Sequence, residues 1–356
     1  MNLPRPDVDR PLALSEMLGP IALGTAPLGN LYARVADDEA VAVVRAAFDA
    51  GVRYFDTAPH YGNGLSEHRV GRALRDMPRS DYALSSKIGR LLIPDENAPR
   101  DQNSYIGVLP FRQRYDYTYD GTRRSIDDSL QRLGVSRLDI VYIHDIDRAT
   151  HGDAQAERFR DAMNGAIPAL AELKREGAIA GYGLGVNDWR VCVDALEHVD
   201  LDFILLAGRY TLLDQSALPK LLPECERRGV RVVLGGPYNS GILATGAHPA
   251  GGSVPYFNYA PASADIVAKV ARIEATCAAY SVPLRAAALQ FPRAHPAVAT
   301  VLVGARTITE IEQNVALANV LIPAEFWRAL KKERLLPGDA PLPVGGCKAH
   351  GDWPVA

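Results

Sequence analysis

Eight short runs of strand-forming residues alternate with helical stretches, and this alternation constrains the chain more than any other feature. The runs lie at 21–25, 53–57, 83–88, 138–144, 180–186, 203–207, 230–234 and 300–304. Between the first two, Val41, Val44, Ala47 and Phe48 recur at helical spacing, with Asp37 or Asp38 as the cap and Gly51 at the stop. Similar stretches span 125–133 (before Gly134), 159–176 (before Gly177), 191–198, 215–228, 264–280 and 309–318. This pattern predicts an α/β fold, a closed (β/α)8 TIM barrel of eight parallel strands. An open doubly wound sheet would want a glycine-rich phosphate turn after its first strand. The turn here reads Gly24-Thr25-Ala26-Pro27-Leu28-Gly29, which lacks the GxGxxG spacing.

Length does not force a second domain. The chain has 356 residues, and α/β barrels of this size are commonly one unit, so a single barrel domain over 1–356 is expected. Two segments depart from the regular alternation. Residues 90–117 carry Pro94, Pro99 and Pro110 and form a long insertion after the third run, as a lid, a specificity loop or an oligomer contact. From Leu335 onward the chain is rich in Pro and Gly and reads as a tail that folds over the barrel mouth or stays mobile.

The charge pattern excludes several partner classes. Formal net charge is -3 and Lys and Arg form no run of five, so no nucleic acid or anionic membrane surface is expected as a partner. No apolar run approaches the roughly 18 residues that span a bilayer. The first residues lack the apolar core of a signal peptide, so a cytoplasmic setting is expected. Cys192, Cys225, Cys277 and Cys347 lie far apart with no CxxC pair, which argues against disulfides and a structural metal. The expected partner is a small molecule. A homo-oligomer stays open.

Barrel active sites sit at the C-terminal ends of the strands. There the second run ends in Phe55-Asp56-Thr57, with Tyr61 five residues after Asp56; the third ends in Ser86-Lys87; the fourth ends in Ile143-His144. A lysine in an otherwise apolar strand needs a counter-ion, and Asp56 is one strand away. A cation beside Tyr61 is expected to stabilise its phenolate and lower a pKa that is otherwise about 10. His144 can hydrogen-bond and orient a substrate oxygen. Taken singly, Asp56 as a turn cap, Lys87 reaching solvent and His144 as a core residue are equally good readings. Four such residues at matching strand ends point to a proton-transfer site.

The segment from Phe55 to Glu67, FDTAPHYGNGLSE, resembles the second-strand signature of the aldo-keto reductases. Lys87 and His144 complete that family's Asp-Tyr-Lys-His tetrad, and the resemblance covers roughly residues 15–335. It implies Tyr61 as general acid/base, tuned by Lys87 and Asp56, with His144 orienting a carbonyl and hydride passing directly to or from a nicotinamide.

The stretch Gly304-Ala305-Arg306-Thr307-Ile308-Thr309-Glu310-Ile311-Glu312-Gln313-Asn314 is similar to the family's pyrophosphate and adenosine segment. A helix N-terminus there offers N–H groups to phosphate. The resemblance makes Gly304, Ala305, Arg306 and Thr307 cofactor contacts, with Gln313 and Asn314 at the adenine, Gly24 and Thr25 on the first turn, and Asn187 at the carboxamide. Glu310 stands where NADP-preferring members tend to carry Arg, so NAD is the expected cofactor; Arg306 keeps NADP open. Val186, Ala207 and Gly235 depart from the pattern. Many members have Ser, Gln and an aromatic residue at these places, so the usual nicotinamide clamp is missing.

The segments Leu205–Gln215, Gly235–Gly241 and Asp116–Gly121 look like those of a bacterial branch, the D-threo-aldose (L-fucose) 1-dehydrogenases. That implies oxidation of the C1 hydroxyl of an aldose to a lactone, with Tyr61 as the base. Pyridoxal 4-dehydrogenases, L-galactose dehydrogenases and general aldehyde or ketone reductases share the resemblance. Tyr32, His60, Tyr117, Tyr119 and Asn239 are the candidate substrate residues near the rim. A reading of a different class, a nicotinamide-binding regulatory subunit, sits poorly with an intact tetrad.

Overall fold

The computed structural model describes residues 13–344. Eight parallel strands close into a barrel: β1 (Ile21–Gly24), β2 (Tyr54–Asp56), β3 (Ala83–Ile88), β4 (Ile140–His144), β5 (Gly181–Val186), β6 (Phe203–Ala207), β7 (Arg231–Gly235) and β8 (Val298–Gly304). Each strand pairs with its sequence neighbours, and β1 closes the ring on β8 through Gly24 opposite Gly304. The expected runs match these strands within one or two residues, the usual uncertainty of strand ends.

Period two along each strand decides which side chains can reach the active end. Ala22, Tyr54, Ala83, Ile140, Phe203, Val233 and Leu302 form one inner cluster. Their immediate successors Leu23, Phe55, Leu84, Val141, Ile204, Leu234 and Val303 belong to the outer cluster that packs the helices. Met17 and Leu18, on the short helix Leu14–Leu18, join the inner cluster. Two and four residues further along, the inner rows become Asp56, Ser85 and Lys87, Tyr142 and His144, Leu205 and Ala207, and Gly235. The polar residues thus fall where the inner face meets the C-terminal mouth.

Several helices were not anticipated, among them Leu284–Gln290, Ala324–Lys332 and the one that bears on the site. Leu65–Leu74 follows directly on the Tyr61 turn, with Gly64 before it at φ 90. Its buried face carries charge, which defeats a hydrophobic-periodicity reading. Glu67 accepts from Ser86 Oγ at 2.8 Å and Arg132 Nε at 2.6 Å. Arg69 donates to Leu28 O, Val35 O and Asp37.

The 90–117 segment is more regular than expected. Arg90–Pro94 pairs antiparallel with Phe111–Tyr115, and Asp101–Gln102 pairs with Tyr105–Ile106. Tyr105 also bridges to Leu31 in the loop after β1. The following helix, Tyr119–Leu133, begins six residues before the expected start at 125, capped by the Thr118 hydroxyl on the Gly121 amide. In the tail, Leu335, Leu336 and Ala340 are buried in the outer cluster, so this part is packed. The tail beyond 344, with Cys347, lies outside the described residues. Cys192, Cys225 and Cys277 are buried and free. Among the described residues no helix is long and apolar enough to cross a membrane.

Candidate active site

Asp56, Tyr61, Lys87 and His144 converge at the mouth of the barrel. Lys87 Nζ donates to Asp56 Oδ2 at 2.6 Å and to the Thr57 carbonyl at 2.9 Å, with both side chains sealed from solvent. Asp56 Oδ1 accepts from Ser85 Oγ at 2.7 Å. Below it the Tyr54 hydroxyl sits 2.9 Å from Ser85 Oγ and 3.0 Å from the Tyr142 hydroxyl. A polar ladder therefore runs up the barrel axis and ends at Lys87. Tyr61 lies over it, with Lys87 Nζ 4.7 Å from the ring centroid. The His144 ring stands edge-on to Tyr61, 6.1 Å between centroids. Tyr61, Lys87 and His144 line one cavity of about 340 Å³.

The electrostatics correct one expectation. Tyr61 is pushed well above its ordinary pKa, by burial first and then by Asp56 and Asp145. Arg90 lowers it, but burial and the two carboxylates outweigh that. The phenol keeps its proton at neutral pH. His144 is driven well below its usual range, by burial and then by Arg90 and Lys87, so its imidazole is neutral. A neutral imidazole beside a protonated phenol can hold a substrate oxygen while the phenol exchanges a proton with it.

Of the five candidate substrate residues, two line the cavity. Tyr32 does so from the loop after β1 at a left-handed φ of 63. His60 Nδ1 contacts Gln113 Oε1 at 3.1 Å, and burial together with Arg90 lowers its pKa to about 3. The other three are corrected. Tyr117 is wholly buried and its hydroxyl donates to the His144 carbonyl at 2.8 Å, so it supports the end of β4. Tyr119 donates to Glu172 in the outer helical ring. Asn239 is buried, donating to the Gly208 carbonyl at 3.1 Å and accepting from Thr211, so it shapes a loop.

Sequence reasoning missed Tyr105 and Tyr259 in the walls, and Asp145 beside His144. Tyr105 arrives on the insertion hairpin and stacks on Tyr61 at 6.2 Å. Tyr259 comes from the small hairpin formed by Tyr256–Phe257 and Ala260–Pro261. No spacing signal marks either, since both are carried in by loops. Asp145 was legible as the residue after His144, but its direction was not.

The cofactor segment is arranged as a capped helix beside this cavity. Thr307 caps Ile308–Ala318, its hydroxyl accepting from the Glu310 amide at 3.2 Å, and Glu310 Oε2 accepts from the Arg306 amide at 2.7 Å. Gln313 and Asn314 accept from Arg285 at 2.9 and 3.0 Å, and Asn314 Oδ1 also takes the Tyr238 hydroxyl at 2.7 Å. Arg306 reaches across to the Leu31 carbonyl at 3.2 Å. Gly304 is exposed, while Ala305 beside it is buried. Asn187 lines the cavity from the end of β5. The Thr25 hydroxyl instead turns inward, to the Asp56 carbonyl at 2.8 Å and Ser66 Oγ at 2.7 Å. Ala207 and Gly235 are register partners, and a Cβ on Gly235 would sit 3.6 Å from that of Ala207. A helix N-terminus for phosphate, a basic and amide cluster for a base, and a free amide next to the proton-transfer pair fit a nicotinamide dinucleotide.

Comparison with known proteins agrees with this geometry. The model of the aldo/keto reductase family matches residues 20–334. The chain is 46% identical over 328 residues to a pyridoxal 4-dehydrogenase of Microbacterium luteolum, covering 89% of this chain and 94% of the relative. It is 39% identical over 321 residues to a D-threo-aldose 1-dehydrogenase of a Pseudomonas species, with the same coverages of 89% and 94%. Among solved structures, the holo form of an aldo-keto reductase from Bacillus halodurans superposes with a TM-score of 0.67 at 25% identity, covering 88% of this chain and 91% of that one. The chain belongs to the aldo/keto reductase family and is an NAD(P)-dependent oxidoreductase.

Proposed function

We propose that this protein oxidises a cyclic hemiacetal to a lactone with NAD, the substrate being the closed form of an aldose or of pyridoxal. The observation that carries the reading is the pairing of Tyr61 and His144 on one cavity above a sealed Lys87–Asp56 pair. A cavity of about 340 Å³ suits one six-membered ring beside a nicotinamide. An aldose and pyridoxal share one chemistry, because each closes on its own hydroxyl to give a carbon bearing O–H, C–H and a ring oxygen. Oxidation removes the C–H as hydride and the O–H as a proton, and the carbon becomes the carbonyl of a lactone. The bound cofactor supplies the hydride acceptor. Tyr61 Oη takes the proton once its own has left, and His144 holds the same oxygen.

Between the two substrates, the 46% identity to a pyridoxal 4-dehydrogenase and the aromatic walls His60, Tyr105 and Tyr259 favour the flat pyridine ring. The aldose reading rests on the 39% relative and the branch motifs. Preference for NAD is supported by Glu310, whose carboxylate is fixed at the helix start by the Arg306 amide. A second reading, aldehyde reduction, is favoured by the proton that Tyr61 keeps at neutral pH. Steady-state rates with pyridoxal, L-fucose, D-arabinose and L-galactose, each with NAD and with NADP, test the proposal, with the product identified by mass. A lactone is expected. Turnover of none of the four, with reduction of simple aldehydes instead, would overturn it.

A further inference from the structure

Asp145 holds an acceptor that the mechanism above does not use. It follows His144 at the end of β4, at a left-handed φ of 47 that non-glycine residues rarely adopt. The surroundings fix that conformation. Its amide donates to the Gly185 carbonyl at 3.0 Å, and its carbonyl accepts from the Tyr117 hydroxyl at 3.3 Å. The carboxylate reaches the wall of the cavity that contains Tyr61. Oδ2 accepts from Arg90 at 2.5 Å, and the neutral His144 Nε2 lies 3.4 Å from it. Oδ1 accepts no hydrogen bond among the described residues.

Arg90 makes this arrangement stable. It is 6% exposed, and its other terminal nitrogen contacts Gln113 Oε1 at 3.1 Å and His60 Nδ1 at 3.3 Å. Burial raises the Asp145 pKa and the Arg90 guanidinium opposes that, so the carboxyl sits in the wall as half of an ion pair. Asp145 lines the substrate cavity with one carboxylate oxygen that no described group engages, so it can accept from a ligand donor. The partner is a neutral donor, since an anionic group would be repelled. The adjacent residue, His144, is the one that holds the reacting oxygen.

We propose that Asp145 Oδ1 accepts a hydrogen bond from a second hydroxyl of the substrate, close to the reacting carbon, and so makes that hydroxyl a requirement for turnover. This rests on the lactone-forming reading and narrows it. In an aldose the group is the C2 hydroxyl; in pyridoxal it is the ring C3 hydroxyl, one carbon farther from the reacting carbon, which donates only in its neutral form. A single deoxygenation removes the group from either substrate.

The test is a cycle between residue and substrate. Rates kcat/KM are measured for L-fucose against 2-deoxy-L-fucose, and for pyridoxal against 3-deoxypyridoxal, in the wild type, in Asp145→Ala and in Asp145→Asn. A hydrogen bond to a charged acceptor predicts a loss on the order of 10–100-fold for the deoxy substrate in the wild type. In Asp145→Ala the two substrates become equal within about threefold, because nothing is left to read the hydroxyl. Asp145→Asn, which keeps the shape and one acceptor, gives an intermediate ratio and serves if the alanine variant does not fold. A purely structural Asp145 would lower both substrates by the same factor and leave the ratio unchanged, which overturns the proposal. Equal rates for both members of each pair in the wild type also overturn it, while the lactone reading survives. Where the wild type turns over only L-galactose or D-arabinose, the same comparison is made with its 2-deoxy form, and inactivity on all of these substrates removes the lactone reading itself. The pair that is turned over tells whether a sugar or a pyridine carries the hydroxyl.

Discussion

Lys87 and Asp56 stand 2.6 Å apart, with both side chains shut off from water. Lys87 Nζ lies 4.7 Å from the Tyr61 ring, yet burial and Asp56 hold that phenol above its ordinary pKa. Removing one partner leaves an uncompensated buried charge, which costs roughly 3–5 kcal/mol. Lys87→Met is expected to lose that much stability in denaturant unfolding. Adding Asp56→Asn removes the stranded charge, so the double variant recovers part of the loss and none of the turnover. Equal stability of the single and double variants would show that the pair is not acting as a charge pair.

Tyr61 sets the pH dependence. Burial and the carboxylates of Asp56 and Asp145 hold its proton on at neutral pH. A base must lose its proton before it can accept one, so oxidation is expected to accelerate as pH rises through the alkaline range. Aldehyde reduction, which consumes the Tyr61 proton, should fall over the same range. His144 is already neutral well below its usual pKa, so its titration should add no limb between about pH 6 and 7. Tyr61→Phe should cut kcat by roughly 10²–10⁴-fold with cofactor binding retained. Pre-steady-state rates against pH check this, and near-normal turnover by the phenylalanine variant would rule out Tyr61 as the acid/base.

His60 links stability to acid. Its pKa falls from 6.5 unfolded to about 3 folded, through burial and Arg90. Between those values the unfolded chain binds the proton and the folded one does not, so this residue's contribution is lost as pH falls from 6.5 towards 3. His60→Asn keeps an amide that can still face Gln113 and removes the titration. Urea unfolding from pH 7 to 4.5 should show a shallower acid loss for the variant than for the wild type. Parallel curves would place the acid sensitivity elsewhere.

What the sequence revealed follows from what period and spacing encode. The barrel was legible because each strand is a compact hydrophobic run and each helix a 3.6-residue pattern. The tetrad was legible because period two puts Asp56, Lys87 and His144 on the inner rows, with Tyr61 one turn beyond. Leu65–Leu74 escaped because Glu67 and Arg69 face inward, satisfied by Ser86, Arg132 and Asp37 rather than by apolar neighbours. Tyr105 and Tyr259 escaped because loops deliver them, and loop paths are set by tertiary contacts such as the Leu31–Tyr105 bridge. Tyr117 and Asn239 failed as substrate residues for a related reason. A polar side chain near a strand end serves equally well as a brace for the backbone, and both do so.

Glu310 has one observed role and one proposed role, and the two can be separated. Its carboxylate accepts from the Arg306 amide at 2.7 Å, while its own amide donates to Thr307. The first role is a helix cap and needs only an acceptor. The second, exclusion of a ribose 2′-phosphate, needs the negative charge. Glu310→Gln keeps the acceptor and removes the charge, so the helix should stay capped and the unfolding midpoint should change little. The ratio of kcat/KM for NADP to that for NAD should rise in this variant. It should rise further in Glu310→Arg, which adds an attractive charge but gives up the cap at a cost of about 1 kcal/mol. If the ratio is unchanged in both variants while stability falls only in the arginine one, Glu310 is a helix cap alone. The cofactor preference would then lie with Arg306, whose amide meets Glu310, or with Arg285, which donates to Gln313 and Asn314.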